Sequence, residues 1–320
     1  MLATVAGLMV AVWTIGATGL KDVLATAGRM GLTGFLAYCL WSLGVFFLLG
    51  AAWLAAAPGE QGRSLPLFAW ARMVREAVSD LLPFSQLGGI IVSTRTLTAA
   101  ALPSSRVHGS LVVDLTTEMA SQLVYTLFGL ALMGSLLIGD GAAVHLRPAI
   151  LGGTLVMVVI ILLFFTMQRA ALDFATRMAG RFLPGSTAMA GMRSELARIY
   201  TRKDRVALAF GANLVAWVAS GIGAWLALRW MGTHASVWDI LALESLIFTL
   251  RSIAFVIPGA LGVQEVAYAF AGPLFGLPPE TALALSLAKR ARDMAIGLPT
   301  LLLWQINEMR HMAGQGEQAL

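Results

Sequence analysis

The chain has 320 residues, of which 58% are hydrophobic and only 12% charged, and its mean hydropathy is +0.79. A soluble domain carries about a quarter charged residues, so this composition cannot cover a water-facing surface and most of the surface must face lipid. The formal charge of +5 does not call for nucleic acid, because Arg-rich cytoplasmic loops beside anionic lipid account for it, and the single cysteine, Cys39, excludes an intramolecular disulfide.

Taken in chain order, Met1 to Leu20 is apolar from the start, with no basic leading region and no small-residue cleavage site. It is expected to stay as a first helix. Further spans are expected over 33–57, 108–138, 149–168, 206–230 and 281–304. Two apolar segments are interrupted. Residues 66–105 contain Pro83, Gly88, Gly89 and Pro103; residues 236–278 contain Pro258, Gly259, Gly262, Gly272, Pro273 and Gly276, with Pro278 and Pro279 at the end. Proline and glycine break helices, and broken backbone survives at membrane depth only where protein or a water-filled cavity covers it. Each segment is a re-entrant hairpin or a pair of short spans, and either way the chain leaves on the side it entered. The expected fold is an all-α integral membrane protein, one transmembrane domain over 1–320, with about six spanning helices and two interrupted segments.

Orientation follows from Arg and Lys. Segment 169–205 holds Arg169, Arg177, Arg181, Arg193, Arg198, Arg202, Lys203 and Arg205, whereas 139–148 has only Arg147 and 231–238 has none. The basic segment is therefore expected in the cytoplasm of a bacterial inner membrane. Counting crossings from it places both termini in the cytoplasm. The mouth of 66–105 then opens there, where Arg63, Arg72 and Arg106 fit, and the mouth of 236–278 faces the periplasm. Residues 169–185 are expected to lie flat as an interfacial helix, with Leu172, Phe174, Phe182 and Leu183 opposite the arginines.

Laid on itself with an offset of 175, the sequence matches Pro83 to Pro258, Leu102-Pro103 to Leu277-Pro278, and Glu118-Met119 to Asp293-Met294. The halves 33–138 and 206–304, joined by span 149–168 and loop 169–205, then run in opposite senses. Inverted repeats with broken helices mark secondary transporters.

Charges sit inside the spans. Asp114, Glu118, Ser121 and Tyr125 fall on one helical stripe, and Lys289, Arg290, Arg292 and Asp293 cluster in the last span. An intramembrane charge costs at least about 2.5–3.5 kcal/mol on insertion scales unless it is paired or wet. Because the offset aligns Asp114 with Lys289, Asp114 and Glu118 are expected to pair with Lys289, Arg290 or Arg292. Glu244, Arg251 and Glu265 form a second set; Arg251 precedes Pro258 much as Arg75 precedes Pro83.

There is no Gly-rich phosphate loop, no serine elbow and no metal-ligand spacing among His108, His145, His234 and His311. No catalytic function, cofactor or metal is expected. Trp70, Trp230 and Trp238 lie near proposed boundaries, and Ser220-Gly221 reads as small-residue helix packing.

The stretch Ile257-Pro-Gly-Ala-Leu-Gly-Val-Gln-Glu265, followed by Leu277-Pro-Pro-Glu-Thr-Ala-Leu-Ala-Leu-Ser-Leu287 and Lys289-Arg290, resembles the C-terminal half of the lysylphosphatidylglycerol synthase/flippase transmembrane family. Chain length and the charged stretch from Arg193 to Arg205 agree with its stand-alone HpnL type, which is associated with hopanoid lipids. The resemblance implies a lipid-flipping fold with two re-entrant hairpins and a central cavity, and it places Pro258, Gly259, Gly262, Glu265, Lys289 and Arg290 at or near that cavity. Two features depart from many members: Gly88 is followed by Gly89 rather than an acid, and Ala52-Trp53 replaces Arg-Trp. The aminoacyl-transferring domain of larger members does not follow the last span, so no synthesis of lysyl-lipid is expected.

The expected function is that of a lipid flippase or transporter whose partner is a membrane lipid, an anionic phospholipid or a hopanoid, and not nucleic acid. Arg251, Lys289, Arg290 and Arg292 would attract the headgroup; Asp114, Glu118 and Glu265 would balance them in the empty cavity, with Asp293 nearby. Asp114 and Glu118 are the candidates for proton coupling. The alternative is a non-transporting scaffold for lipid-biosynthesis machinery that works through loop 169–205.

Overall fold

The structure is a computed structural model that describes residues 2–57, 59–82, 85–139, 198–253 and 257–317. The described residues are almost wholly helical and include no strand. The expected span 149–168 and the basic segment up to residue 197 lie outside them.

Helix α1 (Leu2–Thr18) is cut short of the expected span by Gly19, whose φ of 105° is left-handed, and the chain turns through 88° into α2 (Leu20–Gly28). Helix α3 (Gly31–Ala56) has no charged residue and no polar face, the pattern of a helix surrounded by apolar material. It and α7 (Lys203–Trp230) are long and apolar enough to cross a membrane, and the bent α1–α2 pair makes a third candidate if counted as one span.

The first interrupted segment resolves into α4 (Leu65–Leu81) and α5 (Ser85–Ala99), packed on each other. Leu82 is extended, with φ −103° and ψ 151°, as expected of a residue crowded by a following proline. The two arms approach closely at Gly89, where a Cβ would come within 2.5 Å of the Arg75 carbonyl oxygen. Each arm is shorter than the roughly 20 residues of a span. Helix α6 (Ser104–Gly139) follows, beginning four residues before and ending one residue after the expected 108–138.

The second interrupted segment is α8 (Val237–Ile253), a tight turn over Pro258–Ala260, α9 (Val263–Ala271) and another tight turn over Gly272–Phe275. Gly259 and Gly262 take φ of 55° and 80°, so the two glycines carry the reversal. Helix α10 (Pro279–Glu317) starts at the expected place but continues beyond 304, through Pro299.

The order of elements recurs. Helices α3 to α6 have 26, 17, 15 and 36 residues; α7 to α10 have 28, 17, 9 and 39. Helix α3 packs along α7. Helix α4 packs on α10, and its counterpart α8 packs on α6, so the two series interlock. One buried apolar cluster gathers Trp53, Phe68, Leu97, Val107 and Leu111 from the first series, and a larger one gathers α7 to α10 with Tyr38. Glycines allow the close approaches: a Cβ at Gly50 would lie 2.5 Å from the Cα of Ala69, and one at Gly221 would lie 2.5 Å from the Tyr125 hydroxyl. Exposed Leu32, Leu36, Leu40, Leu208, Val215 and Leu302 cover the outside, as a lipid-facing surface requires.

Candidate functional site

On α4, Arg72, Glu76 and Asp80 recur every fourth residue, with Arg75 and Ser79 beside them, so one face of a short helix carries a polar stripe. Opposite it on α6 stand Asp114 and Glu118. Arg72 is 1% exposed and Asp114 0%. The Arg72 guanidinium donates to Glu118 at 2.9 Å and to Asp114 at 3.4 Å, and it also pairs with Glu76 at 3.0 Å. Arg75 meets Glu118 at 3.2 Å and Asp114 at 3.6 Å. Two adjacent carboxylates away from water would repel each other; two interleaved guanidinium groups make the arrangement tolerable.

The expected partners of this acid pair are therefore replaced. Lys289, Arg290 and Arg292 do not pair with Asp114 or Glu118; the carboxylate each one meets lies in its own series. The Lys289 ammonium, 2% exposed, donates to Glu244 at 2.5 Å and to the Tyr268 hydroxyl at 2.9 Å, while Tyr268 donates to Glu244. The same ammonium lies 5.1 Å from the ring centre of Phe248. Arg290 joins Glu265 at 3.0 Å and the Gly259 carbonyl at 2.5 Å, and Glu265 accepts from the Gly262 N–H at 2.8 Å. Arg292 pairs with its neighbour Asp293 at 2.9 Å through Nε and stacks over Tyr38 at 5.4 Å. The physical reason is reach: a charge in a low-dielectric interior needs its partner within a few ångströms, and the long side chains of Arg72 and Arg75 extend from α4 to this stretch of α6.

Between these clusters lies a cavity of about 140 Å³. Its wall comes from both series: Ser42 and Phe46 of α3, the α4 stripe, Trp217 and Ser220 of α7, Phe248 and Arg251 of α8, the 257–260 turn, and Lys289, Arg292 and Asp293 of α10. Arg251 reaches across to Asp80 at 3.0 Å, tying α8 to α4. Buried polar atoms without a protein partner occur on four wall residues: Arg72 Nε, Ser79 Oγ, Trp217 Nε1 and Asp293 Oδ2.

Of the residues expected at the site, Arg251, Gly259, Lys289, Arg292 and Asp293 line this cavity. Asp114 and Glu118 stand behind Arg72, one layer out. Gly262, Glu265 and Arg290 instead pin the broken turn that closes one side, and Pro258 opens that turn. Arg72, expected at a cytoplasmic mouth, is corrected to a buried wall residue, because three carboxylates outbid water for its guanidinium. The reading by sequence missed Glu76, Ser79, Asp80 and Trp217. The four-residue recurrence of Arg72, Glu76 and Asp80 was the available signal for two of them.

A family model described as the lysylphosphatidylglycerol synthase TM region matches residues 1–299. No curated protein and no solved structure matches the chain. The chain belongs to this lysylphosphatidylglycerol synthase transmembrane-region family.

Proposed function

We propose that this member of the family is a lipid flippase or transporter, which carries a lipid headgroup through the cavity between its two helix series and performs no chemistry on it. The observation that carries this reading is a polar, ion-paired cavity walled by both series, inside a bundle whose outer surface is apolar. A headgroup crossing a bilayer needs such a route, since unpaired polar groups in hydrocarbon cost several kcal/mol.

The two series are read as an inverted repeat, 33–138 against 206–304, with both hairpins re-entrant. Matching element order, the short hairpin arms and the reciprocal packing of α4 on α10 and α8 on α6 support this. The setting is a bacterial inner membrane with both termini in the cytoplasm, and a hopanoid-linked lipid is the candidate cargo of the HpnL type.

Purified protein reconstituted with a trace of fluorescent phospholipid tests the function. Dithionite quenching beyond the outer-leaflet fraction is expected in wild type and lost in Lys289→Ala. Quenching equal to that of protein-free vesicles would sink the flippase reading and leave the scaffold role in its place.

A further inference from the structure

The charge balance of the cavity constrains its occupant, and this step rests on the lipid-carrying reading. Every cation of the wall is already engaged. Arg72, with Arg75 behind it, meets three carboxylates, Glu76, Asp114 and Glu118. Arg251 meets Asp80, Lys289 meets Glu244, and Arg292 meets Asp293. The lining itself carries four cations and three carboxylates, and with the residues directly behind it, Arg75, Asp114, Glu118 and Glu244, the carboxylates outnumber the cations by one. A headgroup carrying only a phosphate would take these cations by displacing buried carboxylates, each of which would then stand uncompensated.

A headgroup that carries both signs meets no such penalty. Its phosphate can add to Arg251 and Arg292 while its ammonium stays beside Asp80 and Asp293. The unpartnered wall atoms are likewise of both kinds: Arg72 Nε and Trp217 Nε1 can only donate, Asp293 Oδ2 can only accept, and Ser79 Oγ, on a residue 2% exposed, can do either. The aromatic part of the wall accepts a cation too. Phe248 already has the Lys289 ammonium against its ring, and Trp217 packs edge-on to Phe248 at 4.6 Å. We infer that the cavity takes a zwitterionic lipid headgroup, an ammonium and a phosphate together, in preference to a net-anionic one.

The test compares two acyl-labelled fluorescent probes, phosphatidylethanolamine and phosphatidylglycerol, in vesicles made of equal parts of the same two lipids. The ethanolamine probe should cross faster by roughly tenfold, the ratio that one modest lost charge pair produces. Equal rates, or a faster glycerol probe, overturn the headgroup inference and leave the flippase reading standing. Failure of both probes to move overturns the flippase reading and this inference with it. Asp80→Asn frees Arg251 and adds one positive charge to the wall, so the rate ratio should shift toward the glycerol probe; an unchanged ratio counts against the inference. Glu76→Gln makes the same change of sign from a half-buried position and serves if Asp80→Asn does not yield monodisperse protein.

Discussion

Arg72 is the residue on which the first charged cluster depends, since it joins all three of Glu76, Asp114 and Glu118 whereas Arg75 meets only the last two. Arg72→Met would leave Asp114 and Glu118 with Arg75 only. Breaking a buried ion pair from one side costs about 3–5 kcal/mol, so the variant should melt far below wild type in detergent, and a melt within a degree or two of it would show that the cluster does not hold α4 to α6. The Lys289–Glu244 pair allows a sharper comparison. Lys289→Met leaves Glu244 buried with Tyr268 alone and should be the less stable protein. Glu244→Gln combined with Lys289→Met removes both charges and should recover much of the loss, because an uncompensated charge, not the absence of the pair, is what destabilises. Glu118→Gln addresses proton coupling: transport lost with normal membrane expression supports Glu118 as a proton carrier, and full transport removes it from that role.

At the scale of elements, helix contact in this bundle depends on missing side chains. Gly50 of α3 faces the backbone of α4, so the added methyl of Gly50→Ala meets atoms that cannot rotate away. Overpacking of this kind costs about 1–3 kcal/mol. Gly44, one and a half turns earlier on the same helix, has nothing within 4 Å of its absent Cβ. Gly44→Ala should stay within about 0.5 kcal/mol of wild type. Thermal melts of both in one detergent decide the matter; equal melts would mean that α3 and α4 do not approach as closely as described. The second glycine of the pair Gly88-Gly89 has a reason in the same terms. The absent side chain of Gly89 is what lets α5 lie against the α4 backbone beside Arg75.

At the scale of the whole molecule, the proposed inverted repeat makes a prediction about sides. The turn after α3 and the turn after α7 are equivalent in the two series, so in an inverted arrangement they must face opposite compartments. In a Cys39→Ser background, Gln61→Cys should resist a membrane-impermeant maleimide in intact cells, and Thr233→Cys should react. Labelling of both, or of neither, would rule out inversion. The Asp80–Arg251 pair joins α4 and α8, the helices matched in the proposed repeat.

The sequence by itself determined that this chain lives in lipid, because too few charges exist to cover a soluble surface. It also determined where α3 and α7 run, since apolar residues without periodicity can only be surrounded by apolar material, and it located the breaks between α4 and α5 and after α8, since proline acts locally, but not the bend at Gly19. It located most of the charged residues that matter, through the cost of placing each in a membrane. It could not say which charges meet. An internal repeat aligns positions that are equivalent, not positions that touch, and equivalent positions lie far apart unless they sit near the relating axis. The alignment of Asp114 with Lys289 therefore pointed to a pair that does not form, while Arg72 and Glu244, each inside its own series, are the actual partners. Only the tertiary structure decided those pairings, because an ion pair is a matter of a few ångströms between residues that are more than forty positions apart in the chain. Packing alone brings them that close.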